Sequence, residues 1–141
     1  MKKILVCIIM VITFGNCYSQ KIIIKDKNDL SPNAKELTNL FNTVDIFKDI
    51  INKGEYTFVT NENTGKSYVV GTGKTIKGDH VTFRSSASFR SQTLKLKLRD
   101  SESCSGVNCE QCKFANNGGC DCEKAASATG GGVGCNHSIT S

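Results

Sequence analysis

Residues 31–54 read SPNAKELTNLFNTVDIFKDIINKG, and the reading of this stretch decides the fold. Ser31 is a residue type that caps helix N-termini, and Pro32 suits the first helical position, where no N–H is needed. Leu37, Leu40, Phe41, Val44, Phe47 and Ile51 recur at helical spacing, and Ile46 and Ile50 widen the stripe. Gly54 is a natural stop. The pattern predicts one amphipathic helix whose apolar stripe is core, because the chain has no other large apolar reserve.

Outward from this stretch the period changes to two. Residues 21–24 (KIII) read as a short strand. Residues 56–60 and 66–70 flank the turn segment NENTG at 61–65 and read as a hairpin. Gly71, Gly73 and Gly78 punctuate a loop, and 79–85 alternates again. The clearest strand is 93–99: Leu94, Leu96 and Leu98 face one way, and Lys95, Lys97 and Arg99 the other. The expected fold class is α+β: one N-terminal amphipathic helix packed on a small antiparallel sheet of four to five strands. A disulfide-rich irregular C-terminal segment follows. The expected organisation is a signal peptide over 1–19, a small α+β domain over 20–100 and a cysteine-rich segment over 101–141.

The first residues set the compartment. MKKILVCIIMVITFGNCYSQ has Lys2 and Lys3 ahead of an apolar run at 4–14, too short to span a bilayer and suited to a signal-peptide core. Cys17 and Ser19 take the −3 and −1 positions for cleavage before Gln20. The segment resembles the signals of exported proteins of Gram-negative bacteria, which implies a periplasmic or secreted protein. The alternative is a lipoprotein signal that anchors the chain to a membrane through Cys17. No second apolar run is long enough for a transmembrane helix in the mature chain.

The formal net charge of +5 is unevenly spread. Between 65 and 99, Lys66, Lys74, Lys77, Arg84, Arg90, Lys95, Lys97 and Arg99 stand against Asp79 alone. Between 100 and 123, Asp100, Glu102, Glu110, Asp121 and Glu123 stand against Lys113 alone. The plain reading is a solvated strand face. The sharper one is a basic face, Lys95, Lys97 and Arg99, for an acidic polymer or envelope component. Nucleic acid is disfavoured, because an exported protein seldom meets it and no nucleic-acid motif is present.

The segment CSGVNCEQCKFANNGGCDC, residues 104–122, brings the chemistry. Cys104, Cys109, Cys112, Cys120, Cys122 and Cys135 remain once Cys7 leaves with the signal and Cys17 is removed or lipidated. An even number in an oxidising compartment predicts three disulfides, with fifteen connectivities open. Cys120 and Cys122, one residue apart, are expected to reach different partners. The alternative is zinc held by Cys109, Cys112, Cys120 and Cys122, since two close pairs supply four tetrahedral ligands. A small cysteine-dependent enzyme is the third reading. It is weakened because Cys109-x-x-Cys112 lacks the strand-to-helix setting that activates thiols.

Other motifs fall away. GTGKT at 71–75 is not a phosphate loop, because Tyr68 stands where the first glycine is needed. His80 and His137 are isolated in sequence, and Asn136-His-Ser is a formal glycosylation acceptor. No Ser-His-Asp order or H-E-x-x-H motif occurs. The expectation is therefore an exported, non-enzymatic protein that works by binding or interaction at or beyond the cell envelope, with no cofactor unless the cysteines hold zinc.

Overall fold

The computed structural model describes residues 20–124 and 134–140. The signal segment, Cys17 and the glycine-rich run from 125 to 133 lie outside the described residues. Strand β1 (Gln20–Ile23) leads through a single 3-10 turn (Ser31–Asn33) into helix α1 (Ala34–Phe41). A second 3-10 turn (Asp45–Phe47) precedes β2 (Ile51–Thr60), β3 (Ser67–Lys74), β4 (His80–Arg90) and β5 (Thr93–Val107). Then come β6 (Cys109–Phe114), β7 (Cys120–Lys124) and β8 (Gly134–Ile139).

The expected α+β class, a helix packed as a layer on a sheet, is corrected: the protein is mostly β. Its main feature is a curled antiparallel sheet in the order β1-β5-β4-β3-β2, with β8 added on β5 and a separate hairpin β6-β7. The helix expected over 31–54 stops at Phe41. The residues that follow, Asn42-Thr43-Val44-Asp45, are weak helix formers. Thr43 turns its hydroxyl back to the Leu40 carbonyl at 2.6 Å, and Val44 is already extended at φ −86°, ψ 124°. Val44, Phe47 and Ile50 are buried, but from turns, and the β-branched Ile50-Ile51 pair opens a strand. Of the stripe, Leu37, Phe41, Val44, Phe47 and Ile50 are buried, while Ile51 is exposed. The burial does not need a helix, since spaced apolar residues reach a curled sheet's inner face from turns equally well.

Two further parts of that expectation change. Gly71 and Gly73, expected in a loop, lie inside β3. A Cβ at Gly71 would come within 2.6–2.8 Å of the Phe83 and Tyr56 rings, so glycine there lets the aromatic core close on the strand. The segment expected to be irregular carries the end of β5 and all of β6, β7 and β8.

Alternation along the strands sorts the two faces. Val69, Val81, Phe83, Leu94 and Leu96 point inward with Ile22, Leu37, Phe41 and Phe47, all at most 2% exposed. Phe83 is the hub: its ring centroid lies 5.1 Å from both Phe41 and Phe47. Register shifts within β2, where Asn52 and Glu55 take positive φ, and between Ser85 and Ser86 of β4 bend the strands. On the opposite face, Thr82 and Arg84 alternate with these core residues and carry the β6-β7 hairpin.

Two strands share one edge of β5. β1 pairs with 93–96, and β8 pairs with 102–107. The C-terminal strand is thereby laid across the sheet beside Cys104 and Gly106, where the remaining cysteines meet.

Candidate functional site

Six sulfurs divide into a pair and a group of four. Cys104 is fully buried on β5, opposite Thr82, and is disulfide-bonded to Cys120 of β7 with a Cα–Cα distance of 5.7 Å. This bond pins the hairpin to the sheet. The other four, Cys109, Cys112, Cys122 and Cys135, converge so that their Sγ atoms all lie within 4.8 Å of one another. Cys120 therefore stands apart from the expected zinc quartet, and Cys135 takes the fourth place.

Each sulfur of the group arrives from a different local feature. Cys112 and Cys122 face each other directly across β6-β7, 4.4 Å apart at Cα, the spacing of a non-hydrogen-bonded strand pair. Cys135 sits on β8 opposite Gly106. Cys109 opens β6 after Asn108 at φ 58°, and a register shift between Cys109 and Gln111 turns its sulfur inward. Three residues along a regular strand would carry Cys109 and Cys112 to opposite faces. The bulge brings them to one side. Cys122 Sγ lies at bonding distance from both Cys112 Sγ and Cys135 Sγ. One sulfur makes one disulfide, so these two contacts are alternatives. Cys109 is a free thiol, 3.5 Å from the Val107 carbonyl and 3.8 Å from that of Gly134. Burial and then Asp79 push its pKa up, holding it protonated.

Groups around the sulfurs fix the backbone. Cys112 N–H donates to His80 Nδ1 at 3.1 Å, and the Thr82 hydroxyl donates to the Cys112 carbonyl. The first bond requires a lone pair on Nδ1, and burial lowers the His80 pKa in the same sense. His80 and Cys112 are separated by 32 residues, and nothing local in the sequence announces the contact.

Beside the cluster, the Arg84 guanidinium is sandwiched between the Tyr68 and Phe114 rings, 4.0 Å from each centroid. Glu102 pairs with Arg84 at 2.5 Å, and its second oxygen lies 2.7 Å from His137 Nε2. Phe114 belongs to the hairpin and Tyr68 to the sheet, so this stack is a second tie between them.

The basic face extends beyond the residues named from sequence. Lys95 and Lys97 are exposed on the outer side of β5, whereas Arg99, also exposed, falls in the register shift after Lys97 and lines a different cleft with Thr43, Val44, Asp45 and Ile46. Lys21 of β1 stands directly opposite Lys95. Lys97 continues into a cleft of about 580 Å³ that Lys27, Lys66, Ser67, Ser86 and Ser88 also line. The cleft exists because β3 stops pairing at Tyr68–Ser86, while β4 runs on to Arg90 with that edge open. Asp100 is the carboxylate in the lining, and it accepts the Ser86 hydroxyl. No carboxylate lies within ion-pair distance of Lys21, Lys27, Lys66, Lys95 or Lys97 among the described residues.

No helix among the described residues is long and apolar enough to cross a membrane. Comparison with protein-family models, with curated proteins and with solved structures gave no match.

Proposed function

We propose that the protein is an exported, non-enzymatic binding module whose ligand is an anionic polymer, a carboxylated or sulfated polysaccharide of the cell envelope or its surroundings. One observation carries the reading: five ammonium groups without carboxylate partners run from β1 across β5 into the open cleft. Lys21 and Lys95 face each other across a strand pair, where like charges oppose folding. Lys95 and Lys97 follow at the two-residue strand repeat of about 7 Å, and Lys66 and Lys27 meet the row in the cleft. Serine hydroxyls between them supply neutral donors, and the Phe58 and Phe89 edges supply apolar surface for a sugar ring. A repeating anion satisfies such a row better than a single small one, because each charge finds its own ammonium.

Export follows from the N-terminal Lys2-Lys3, apolar and small-residue order. It places the basic row where polysaccharide rather than nucleic acid is met. The test is retention on an immobilised sulfated polysaccharide under a salt gradient. The Lys66→Glu/Lys97→Glu variant is expected to elute at clearly lower salt than the parent. Lys48→Gln, removing an exposed cation paired with Asp45 elsewhere on the chain, is expected to behave like the parent. Equal elution of all three proteins overturns the reading.

A further inference from the structure

The four converging sulfurs carry an inference independent of the polyanion reading. We infer that Cys109, Cys112, Cys122 and Cys135 form a tetrathiolate site for one zinc-class ion, with Cys104–Cys120 as the disulfide that positions it.

The donor set decides the metal class. Four thiolates in a tetrahedron are the chemistry of zinc and its analogues, not of calcium or magnesium, which take oxygen. With metal–sulfur bonds of about 2.3 Å, the sulfurs of a tetrahedral site stand about 3.8 Å apart. The cluster, all within 4.8 Å and with Cys112 Sγ and Cys135 Sγ 4.0 Å apart, needs only side-chain adjustment to reach that figure.

Disulfide pairing serves this group less well than coordination does. Cys122 touches two sulfurs that it cannot bond together, and Cys109 is left as a thiol beside them. A central ion uses all four at once and leaves no competing partner. The local backbone is shaped for it too. The Asn108 turn and the bulge after Cys109 fold a C-x2-C pair toward one point, while Cys122 and Cys135 approach from β7 and β8. Gly106 lies under the cluster, and a Cβ there would collide with the sulfurs of both Cys109 and Cys112. The structure thus keeps a side chain out of the space that the sulfurs occupy. His80 holds the Cys112 backbone from the second layer. Loading starts from the four reduced cysteines: one divalent ion enters and four thiol protons leave. Where Cys122 has closed a disulfide with Cys112 or Cys135, a dithiol reductant must first supply two electrons and two protons.

The site would give the C-terminal region its fold. Among the described residues of 104–124 and 134–135, Cys104 and Cys112 are the buried apolar side chains, so ligation tying β6, β7 and β8 together does there what a core does elsewhere.

The test uses the full mature chain, purified without air and with zinc present, then desalted. Metal analysis is expected to find one zinc per chain. Cobalt(II) in its place is expected to show the thiolate-to-cobalt charge-transfer and strong visible bands of a tetrahedral sulfur site. After chelation, alkylation is expected to label four cysteines, with Cys104 and Cys120 labelled only after reduction. Cys135→Ser is expected to weaken zinc binding more than about tenfold. The double variant Cys104→Ser/Cys120→Ser is expected to retain one zinc if it folds. The wild-type labelling pattern alone identifies the ligands if it does not. Absence of zinc overturns the inference, whether the chain is isolated with six oxidised cysteines or with four free thiols that refuse added zinc.

Discussion

Gly106 on β5 lies so close beneath Cys112 on β6 that no Cβ fits between its backbone and the sulfur. The hairpin and the main sheet approach at this point without an intervening side chain, and the four-sulfur group forms directly above it. Gly106→Ala must therefore lift the hairpin or push Cys109 and Cys112 apart. Overpacking of this kind costs about 1–3 kcal/mol. Gly134→Ala is the matched control, since a Cβ on that β8 glycine meets nothing within 4 Å. Thermal unfolding and the rate of alkylation at Cys109 are the measurements. Gly106→Ala is expected to melt lower and label faster, and Gly134→Ala to match the parent. Parental behaviour of both would show that the close approach does not constrain the cluster.

The Arg84–Glu102 pair gives a second prediction. Both side chains are mostly buried, 12% and 19% exposed, with the Arg84 guanidinium between the Tyr68 and Phe114 rings. Removing one partner strands the other charge, whereas removing both leaves apolar contact. Glu102→Gln is expected to destabilise on the order of 3 kcal/mol in urea unfolding. The double variant Arg84→Met/Glu102→Gln is expected to lie closer to the parent than Glu102→Gln does. A double variant worse than the single one would mean that the guanidinium stack stabilises the protein more than the ion pair does.

Parts of this architecture can be read from the chain and parts cannot, for physical reasons that differ by residue. Leu94 and Leu96 alternate with Lys95 and Lys97, so period two assigns 93–97 correctly, both leucines fully buried and both lysines exposed. It fails at Leu98 and Arg99, where the register against β4 shifts and both line one cleft. The Asn61–Gly65 turn is legible because its chemistry is local: Gly65 takes φ 70° and the Asn61 side chain accepts the Asn63 N–H. The helix is over-read because Val44, Phe47 and Ile51 match helical spacing while their neighbours Asn42, Thr43 and Asp45 do not favour a helix. Ile51, counted in the stripe, is 44% exposed. The cysteines are legible as a set but not as a pairing. Their partners are chosen by the β6-β7 register and by β8, which returns past 125–133 to reach β5. Lys21, Lys27 and Lys66 escape the basic face because only the fold brings Lys21 opposite Lys95 and Lys27 and Lys66 into the cleft with Lys97.

Tyr56 ties the helix to the sheet through one hydrogen bond, its hydroxyl 2.6 Å from Thr38 Oγ1. Burial raises the phenol pKa above its ordinary value of 10.0, and the Thr38 bond opposes this only in part. The sign follows from linkage. A raised folded pKa means that the folded state holds its proton after the unfolded state has lost it. The contribution is full below the unfolded value and is lost as pH rises through the folded one. Tyr56→Phe is expected to cost about 1 kcal/mol at neutral pH through the lost hydrogen bond. The difference between parent and variant is expected to shrink as pH rises above about 10. Urea midpoints measured for both proteins from neutral to alkaline pH decide it, and a constant difference throughout would refute the linkage.

β8 protects the outer edge of β5 from 102 to 107, and Thr140 closes it, donating its N–H to the Ser101 carbonyl at 2.9 Å and accepting the Ser101 N–H at 3.1 Å. Without this strand, residues 102–107 of β5 would present unpaired backbone groups along one edge next to exposed Val107, the condition under which chains pair edge to edge. Removing residues 134–141 is expected to produce concentration-dependent dimers or larger species in sedimentation velocity. The removal also deletes Cys135, so the loss of a sulfur must be separated from the loss of a strand. Full-length Cys135→Ser keeps the β8 backbone and is expected to remain at the parent's oligomeric state. Self-association of the truncated chain alone identifies edge protection as the role of β8. Equal self-association of both variants would assign the effect to the sulfur group, because the edge is still covered in the point variant.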